Sequence, residues 1–122
     1  MNDEEIKEFL KKATEARKRI REILPSDVEG QKDMGAIVLD VRDPYEREAG
    51  HISGSVNVSF KFLAEKITII AADKSSPINC YCNGGNRGAL AADQLQNLGY
   101  INVASIAGGF NAFKIWKNKN DI

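Results

Sequence analysis

Four short apolar runs, separated by segments that read as helix or turn, constrain what this chain can become. The first, Ala36 to Asp40, is continuous and ends in a carboxylate, as suits a strand buried on both faces of a parallel sheet. The second lies around Val56 to Val58, the third spans Ile78 to Cys82, and the fourth covers residues 101 to 106. Between them, Asp43 and Pro44 open a short helical turn, Gly50 to Gly54 makes a tight connection, and Lys74 to Pro77 makes a loop. Arg87 to Leu98 keeps helical spacing, with Gly99 as its stop, and Gly108 and Gly109 precede a last helix carrying Phe110, Phe113 and Trp116. Residues 63 to 70 carry two signals. Leu63, Ile67 and Ile70 are spaced for a helix, whereas the run from Ile67 to Ile70 is rich in β-branched residues that favour strands; the segment is read as helix. Strands and helices therefore alternate, which predicts an α/β fold with a parallel sheet, helices on its faces and ligands at the carboxyl ends of the strands. Cys82 stands at such an end.

Ahead of the first strand, Ile6, Phe9, Leu10, Ala13, Ile20, Ile23 and Leu24 recur on one stripe at helical spacing. This predicts an amphipathic helix that Pro25 stops, with Ser26 and Asp27 placed to cap a following turn. The chain is accordingly divided into a helical extension, 1–24, and a domain, 25–122. The stripe needs a cover, either the domain behind it or a second copy of the chain, so a monomer and a homodimer through this helix both stay open. Arg17, Lys18, Arg19 and Arg21 form either a docking surface or a solvated helix face; Glu15 and Glu22 interrupt the basic run and favour the solvated face.

Seventeen basic residues balance seventeen acidic ones in 122, so no global field draws nucleic acid or an anionic membrane surface. Any anion site has to be built locally. No stretch reaches the unbroken apolar length of a spanning helix, and the charged N-terminus lacks a signal-peptide pattern, so a cytoplasmic protein is expected. Cys80 and Cys82, two positions apart, would make a strained disulfide that closes almost no loop, and one Cys-x-Cys without further ligands is a weak metal signal. Free thiols are expected, with Cys80 as strand filler.

The segment Cys82, Asn83, Gly84, Gly85, Asn86, Arg87 joins a strand to a helix N-terminus. Glycine admits positive φ and close approach, so consecutive amide N–H groups can converge on one point, and the helix adds its positive end. The thiolate is the nucleophilic form of cysteine, and helix termini and cations favour it. A helix terminus alone contributes typically ~0.3–1 kcal/mol, so converging amides are needed to hold a sulfur anion. A persulfide, one atom longer, would place its terminal sulfur deeper among the same donors. Arg87 either binds a donor anion or folds back to hold the loop.

These residues resemble the rhodanese family of sulfurtransferases. The likeness covers nearly everything after the first helix: the LDVRDPYE segment at Leu39 to Glu46, GHISGSVNV at Gly50 to Val58, the INCYCNGGNR loop and the Gly108, Gly109 turn. It implies a rhodanese-like, five-stranded parallel sheet and a double-displacement cycle in which Cys82 takes sulfane sulfur from a small donor and passes it to a thiol or cyanide-type acceptor, or to a sulfur-acceptor protein. No metal or organic cofactor is implied. The expected assignment is Cys82 as the catalytic sulfur, with Asn83, Gly84, Gly85, Asn86, Arg87 and Gly88 binding substrate, and Asp40, Arg42 and His51 supporting the loop. Family members often follow the cysteine with a cationic residue and then Ser or Thr; here Asn83 and Gly84 stand instead, which predicts weaker use of thiosulfate than of persulfide donors. Two other classes compete: a low-turnover persulfide carrier or protein-docking module, and a phosphatase or arsenate reductase. Related phosphatases have a cysteine loop one residue longer, so the present loop encloses a space better suited to sulfur than to a tetrahedral phosphate.

Overall fold

A computed structural model describes residues 1–120; residues 121 and 122, the end of the segment assigned above to the domain, lie outside the described residues. Five strands, β1 (Arg21–Ile23), β2 (Ile37–Asp40), β3 (Val56–Asn57), β4 (Ile78–Tyr81) and β5 (Val103–Ile106), form one sheet in the order β1-β5-β4-β2-β3. Every pairing is parallel. The helices are α1 (Asp3–Arg17), α2 (Val28–Asp33), α3 (Pro44–Glu48), α4 (Leu63–Ile70), α5 (Asn86–Asn97) and α6 (Gly109–Asn120). The doubtful stretch 63–70 is thus helical. Its Leu63 and Ile67 are buried whereas Ile69 is 85% exposed, a one-sided pattern that β-branching does not override.

Side-chain alternation along the central strands builds two cores. Leu39 of β2, Cys80 of β4 and Val103 of β5 pack with Leu95 of α5 and Ile67 of α4 on one face. Their neighbours Val38, Tyr81 and Ala104 pack with Phe110 and Phe113 of α6 on the other. Both faces are covered, which is why these strands read as unbroken apolar runs.

The N-terminal helix is shorter than its periodicity predicts. Asn2 caps it, its Oδ1 accepting from Glu5 N–H at 2.8 Å, and Asp3, Glu4 and Glu5 favour its positive end. It ends at Arg17 rather than Leu24, because Arg21–Ile23 leave the helical path to pair with the otherwise open edge of β5. Non-local ladder bonds win over a local period here. Pro25–Asp27 form a 3-10 turn, in which Asp27 Oδ2 accepts from Leu24 N–H at 3.1 Å. The helix lies on α5 of its own chain through Ala13 and Ala16, both fully buried, while Ile6 and Leu10 of the expected stripe stay 41% and 46% exposed. Among the described residues no helix is long and apolar enough to cross a membrane.

Close approach of α1 to α5 depends on those two alanines. Ala16→Leu is expected to lower unfolding stability by about 1–3 kcal/mol through overpacking, read as a lower urea midpoint at unchanged slope.

Candidate active site

Cys82 follows the last residue of β4, and α5 begins four residues later, so strand and helix pin both ends of the loop. Its side chain is 3% exposed and borders the core on the α5 face. The sulfur accepts a hydrogen bond from Gly85 N–H at 3.1 Å. Gly85 precedes α5 with φ +111°, a left-handed conformation that glycine adopts without a Cβ penalty. Immediately beyond it, the first-turn amides of α5 have no carbonyl one turn earlier within their own helix. The sequence predicts several amides converging on the sulfur; one, Gly85 N–H, donates to it, and α5 begins immediately beyond.

Carbonyls of the same loop are drawn elsewhere. Cys82 O accepts from Phe110 N–H at 2.8 Å, and Asn83 O accepts from Asn111 N–H at 3.0 Å, so the first turn of α6 takes them up. Gly109 makes this approach possible: its φ is +60°, and a Cβ there would collide with Cys82 O and stand 2.6 Å from Asn83 O. The double glycine of the sequence is therefore a contact between two loops.

A buried ion pair supports the loop from the β2 side. Arg42 Nε and Nη2 donate to the two oxygens of Asp40 at 2.9 and 2.8 Å, Nη2 also reaches Gly50 O at 2.8 Å, and Nη1 donates to Asn83 Oδ1 at 3.1 Å. The guanidinium lies 4.8 Å from the Phe110 ring centroid and 5.4 Å from that of Tyr81. Burial pushes the Asp40 carboxyl up, but Arg42 and the Tyr81 hydroxyl, which donates to Asp40 Oδ2 at 3.0 Å, outweigh it and hold the group below its ordinary value. Arg47 adds a contact to Asp40 at 3.4 Å and bonds to Ser55.

Arg87 is taken up by a carboxylate of another element rather than by the loop carbonyls. Its Nη1 and Nη2 donate to the two oxygens of Glu46 at 2.9 and 2.8 Å, and Asn83 Nδ2 donates to Glu46 Oε1 at 2.9 Å. Glu46, a functional residue that the sequence motif LDVRDPYE does not single out, joins α3 to both ends of the loop. Arg87, first, then the Asp43 N–H and Arg42 hold its carboxyl down to about 2, against an opposing push from burial. Gly84 is exposed with open space around it, whereas Gly88 is buried in α5, where a Cβ would meet Ser105 Oγ at 3.0 Å and Tyr81 Cα at 3.3 Å. Gly88 is thus packed closely against β4 and β5, with no room for a side chain. His51 is exposed, with Nδ1 3.3 Å from Arg47 O at the end of α3. It thus contacts that helix rather than the cysteine loop. Cys80 is fully buried, its thiol pushed up by burial, and both cysteines are free. A cleft of about 400 Å³ borders Asn83 and is walled by Arg42, Tyr45, Glu46, Phe110 and Lys114.

The basic run at the end of α1 also reaches across the fold. Arg17 Nη2 donates to Asn86 Oδ1 at 2.6 Å, and Arg19 grips both oxygens of Asp93 of α5 at 3.0 and 2.8 Å. Neither pairing is visible in the sequence, where the partners stand 69 and 74 positions apart.

A family model for the rhodanese-like domain matches residues 24–115. Thiosulfate sulfurtransferase GlpE of Stutzerimonas stutzeri is 34% identical over 98 residues, covering 80% of this chain and 85% of that protein. Its counterpart from Pseudomonas aeruginosa PAO1 is 35% identical over 96 residues, covering 79% and 83%. Among solved structures, a protein of unknown function and possible tyrosine phosphatase from Rhodopseudomonas palustris superposes with a TM-score of 0.80 at 30% identity, over 88% of this chain and 89% of that one. A rhodanese-related protein from Thermoplasma volcanium gives 0.69 at 31% identity, over 79% and 92%.

Two outcomes follow from this geometry. Gly109→Ala should destabilise the fold by about 2 kcal/mol or more, since it strains φ and forces the loop carbonyls apart; thermal unfolding reads this. Glu46→Gln should cost about 2 kcal/mol at neutral pH by loosening a charge-assisted pair. Because the folded carboxyl titrates near 2, below its ordinary value of 4.5, that stabilisation is present above pH 4.5 and is lost as pH falls towards 2. Urea midpoints of the two proteins should therefore converge in acid.

Proposed function

The chain belongs to the rhodanese-like domain family, and on that premise we propose that it is a sulfurtransferase whose Cys82 carries sulfane sulfur as a persulfide. The observation that carries the reading is the hydrogen bond from Gly85 N–H to the Cys82 sulfur at a helix N-terminus, with the loop carbonyls held away by α6. The sulfur meets an N–H donor there, and the carbonyls of Cys82 and Asn83 are engaged elsewhere.

In the first half of the cycle, the Cys82 thiolate attacks the outer sulfur of a small donor. The donor's sulfur–sulfur bond breaks and its electron pair leaves with the remainder: sulfite from thiosulfate, a thiolate from a persulfide. Cys82 now ends in a terminal sulfur anion next to the N-terminus of α5, whose unpaired first-turn amides and positive end favour a negative charge. A thiol or cyanide-type nucleophile, free or on an acceptor protein, then attacks that terminal sulfur and Cys82 departs as a thiolate. No net electron change and no cofactor are required. Asn83, held by Arg42 and Glu46, keeps the cleft side of the loop in place. Hydrolysis of a phosphate ester fits less well, because Arg87 is engaged bidentately by Glu46 and would have to leave it to hold a phosphoryl group.

Intact-mass analysis after exposure to thiosulfate or glutathione persulfide should show one added sulfur atom, lost again on adding cyanide or a thiol and absent from Cys82→Ser. Failure of both donors to load the wild-type protein, or turnover of an aryl phosphate, would overturn the proposal.

A further inference from the structure

The two arginines that the loop and its surroundings provide are each held by a carboxylate, Arg42 by Asp40 and Arg87 by Glu46. A third reaches the loop from outside the segment that the family model matches. Arg17 is the last residue of α1, half-buried, and among the described residues no carboxylate stands in ion-pair distance of it. Its Nη2 is anchored on Asn86 Oδ1 at 2.6 Å and lies 3.5 Å from where a Cβ of Gly85 would stand. Gly85 is the residue whose N–H reaches the sulfur, so ordinary bond lengths place this guanidinium within about 9 Å of Cys82 Sγ, roughly one Debye length at physiological salt. The anchoring is stiff. Ala13 and Ala16 seat α1 on α5, and the fork between Arg19 and Asp93 ties down the chain just beyond Arg17.

We propose that Arg17 is a specificity-determining residue of the sulfur loop: anchored on Asn86, it supplies the positive charge that Asn83 does not, and biases Cys82 towards anionic sulfur donors over neutral ones. The mention of donors rests on the sulfurtransferase reading; the charge itself is testable without it. The uncharged residue after the cysteine predicts weaker use of thiosulfate than of persulfide donors, and a charge on Arg17 would offset part of that loss. A unit charge at that range, with an effective dielectric constant between those of water and a protein surface, changes the attraction of an anion by about 2- to 20-fold before screening.

Alkylation of Cys82 by iodoacetate, an anion, and by iodoacetamide, its neutral analogue, reads the charge directly, with intact mass as the measure and fully buried Cys80 as the silent thiol. The ratio of the two rate constants cancels changes in the reactivity of the sulfur. Arg17→Gln is expected to lower that ratio about threefold, Arg17→Lys to keep most of it, Asn86→Ala to lower it by releasing the guanidinium, and added salt to bring the wild-type ratio towards that of Arg17→Gln. An unchanged ratio in Arg17→Gln, or a loss as large in Arg17→Lys, would overturn the inference. A Cys82 that reacts with neither reagent would overturn it together with the sulfurtransferase reading, whereas an intact charge effect without persulfide loading would remove that reading alone.

Discussion

The direction in which the Cys82 loop presents its backbone depends on two hydrogen bonds made by another helix. Every peptide unit in a tight loop has a carbonyl as well as an N–H, and a sulfur anion tolerates only the latter at close range. The N–H groups of Phe110 and Asn111 take the carbonyls of Cys82 and Asn83, which leaves Gly85 N–H to the sulfur. That division requires α6 to start almost on top of the loop, and Gly109 is the residue that lets it do so. The fold places α6 there because Phe110 and Phe113 fill the sheet face that Val38, Tyr81 and Ala104 leave apolar. Packing on one face of the sheet thereby sets the polarity of a loop at its carboxyl edge.

Charge around the loop is organised by the same economy of partners. Asp40 is fully buried, a costly place for a carboxylate unless each oxygen is satisfied. Arg42, Arg47 and Tyr81 satisfy it, and Arg42 in turn orients Asn83. A buried pair of this kind is weak as a source of stability; its structural result is a guanidinium resting beside both the Phe110 and Tyr81 rings with one N–H left for the loop. Glu46 performs the equivalent task on the other side, neutralising Arg87 and accepting from Asn83. The cysteine loop is thus surrounded by cations, most of which are matched by acid, and Arg17 stands outside that matching.

Several features were legible from spacing alone. The runs at 36–40, 78–82 and 101–106 correspond to β2, β4 and β5, because strands covered on both faces have to be continuously apolar. Of the two loop glycines expected to turn the backbone, Gly85 takes positive φ and Gly84 does not, whereas the close approach at Gly109 emerges only in the fold. The N-terminal segment misled for a reason that is equally physical. Ile20, Ile23 and Leu24 extend a helical period, yet Arg21–Ile23 gain more by pairing with an open strand edge than by one further helical turn. Periodicity records which side chains want burial, and a short strand buries Ile23 as well as a helix would.

By itself, the sequence determined the local grammar: a strand, a glycine turn and a helix that put Cys82 at a helix N-terminus, since φ preferences and side-chain alternation act over a few residues. Only the tertiary structure decided who partners whom. Arg87 meets Glu46 across 41 positions, Arg42 meets Asn83 across the same span, and Arg17 meets Asn86 across 69. A guanidinium has no preference in sequence for one acceptor over another; it takes the one that helix packing brings within reach, and that distance exists only after the sheet and its helices have assembled.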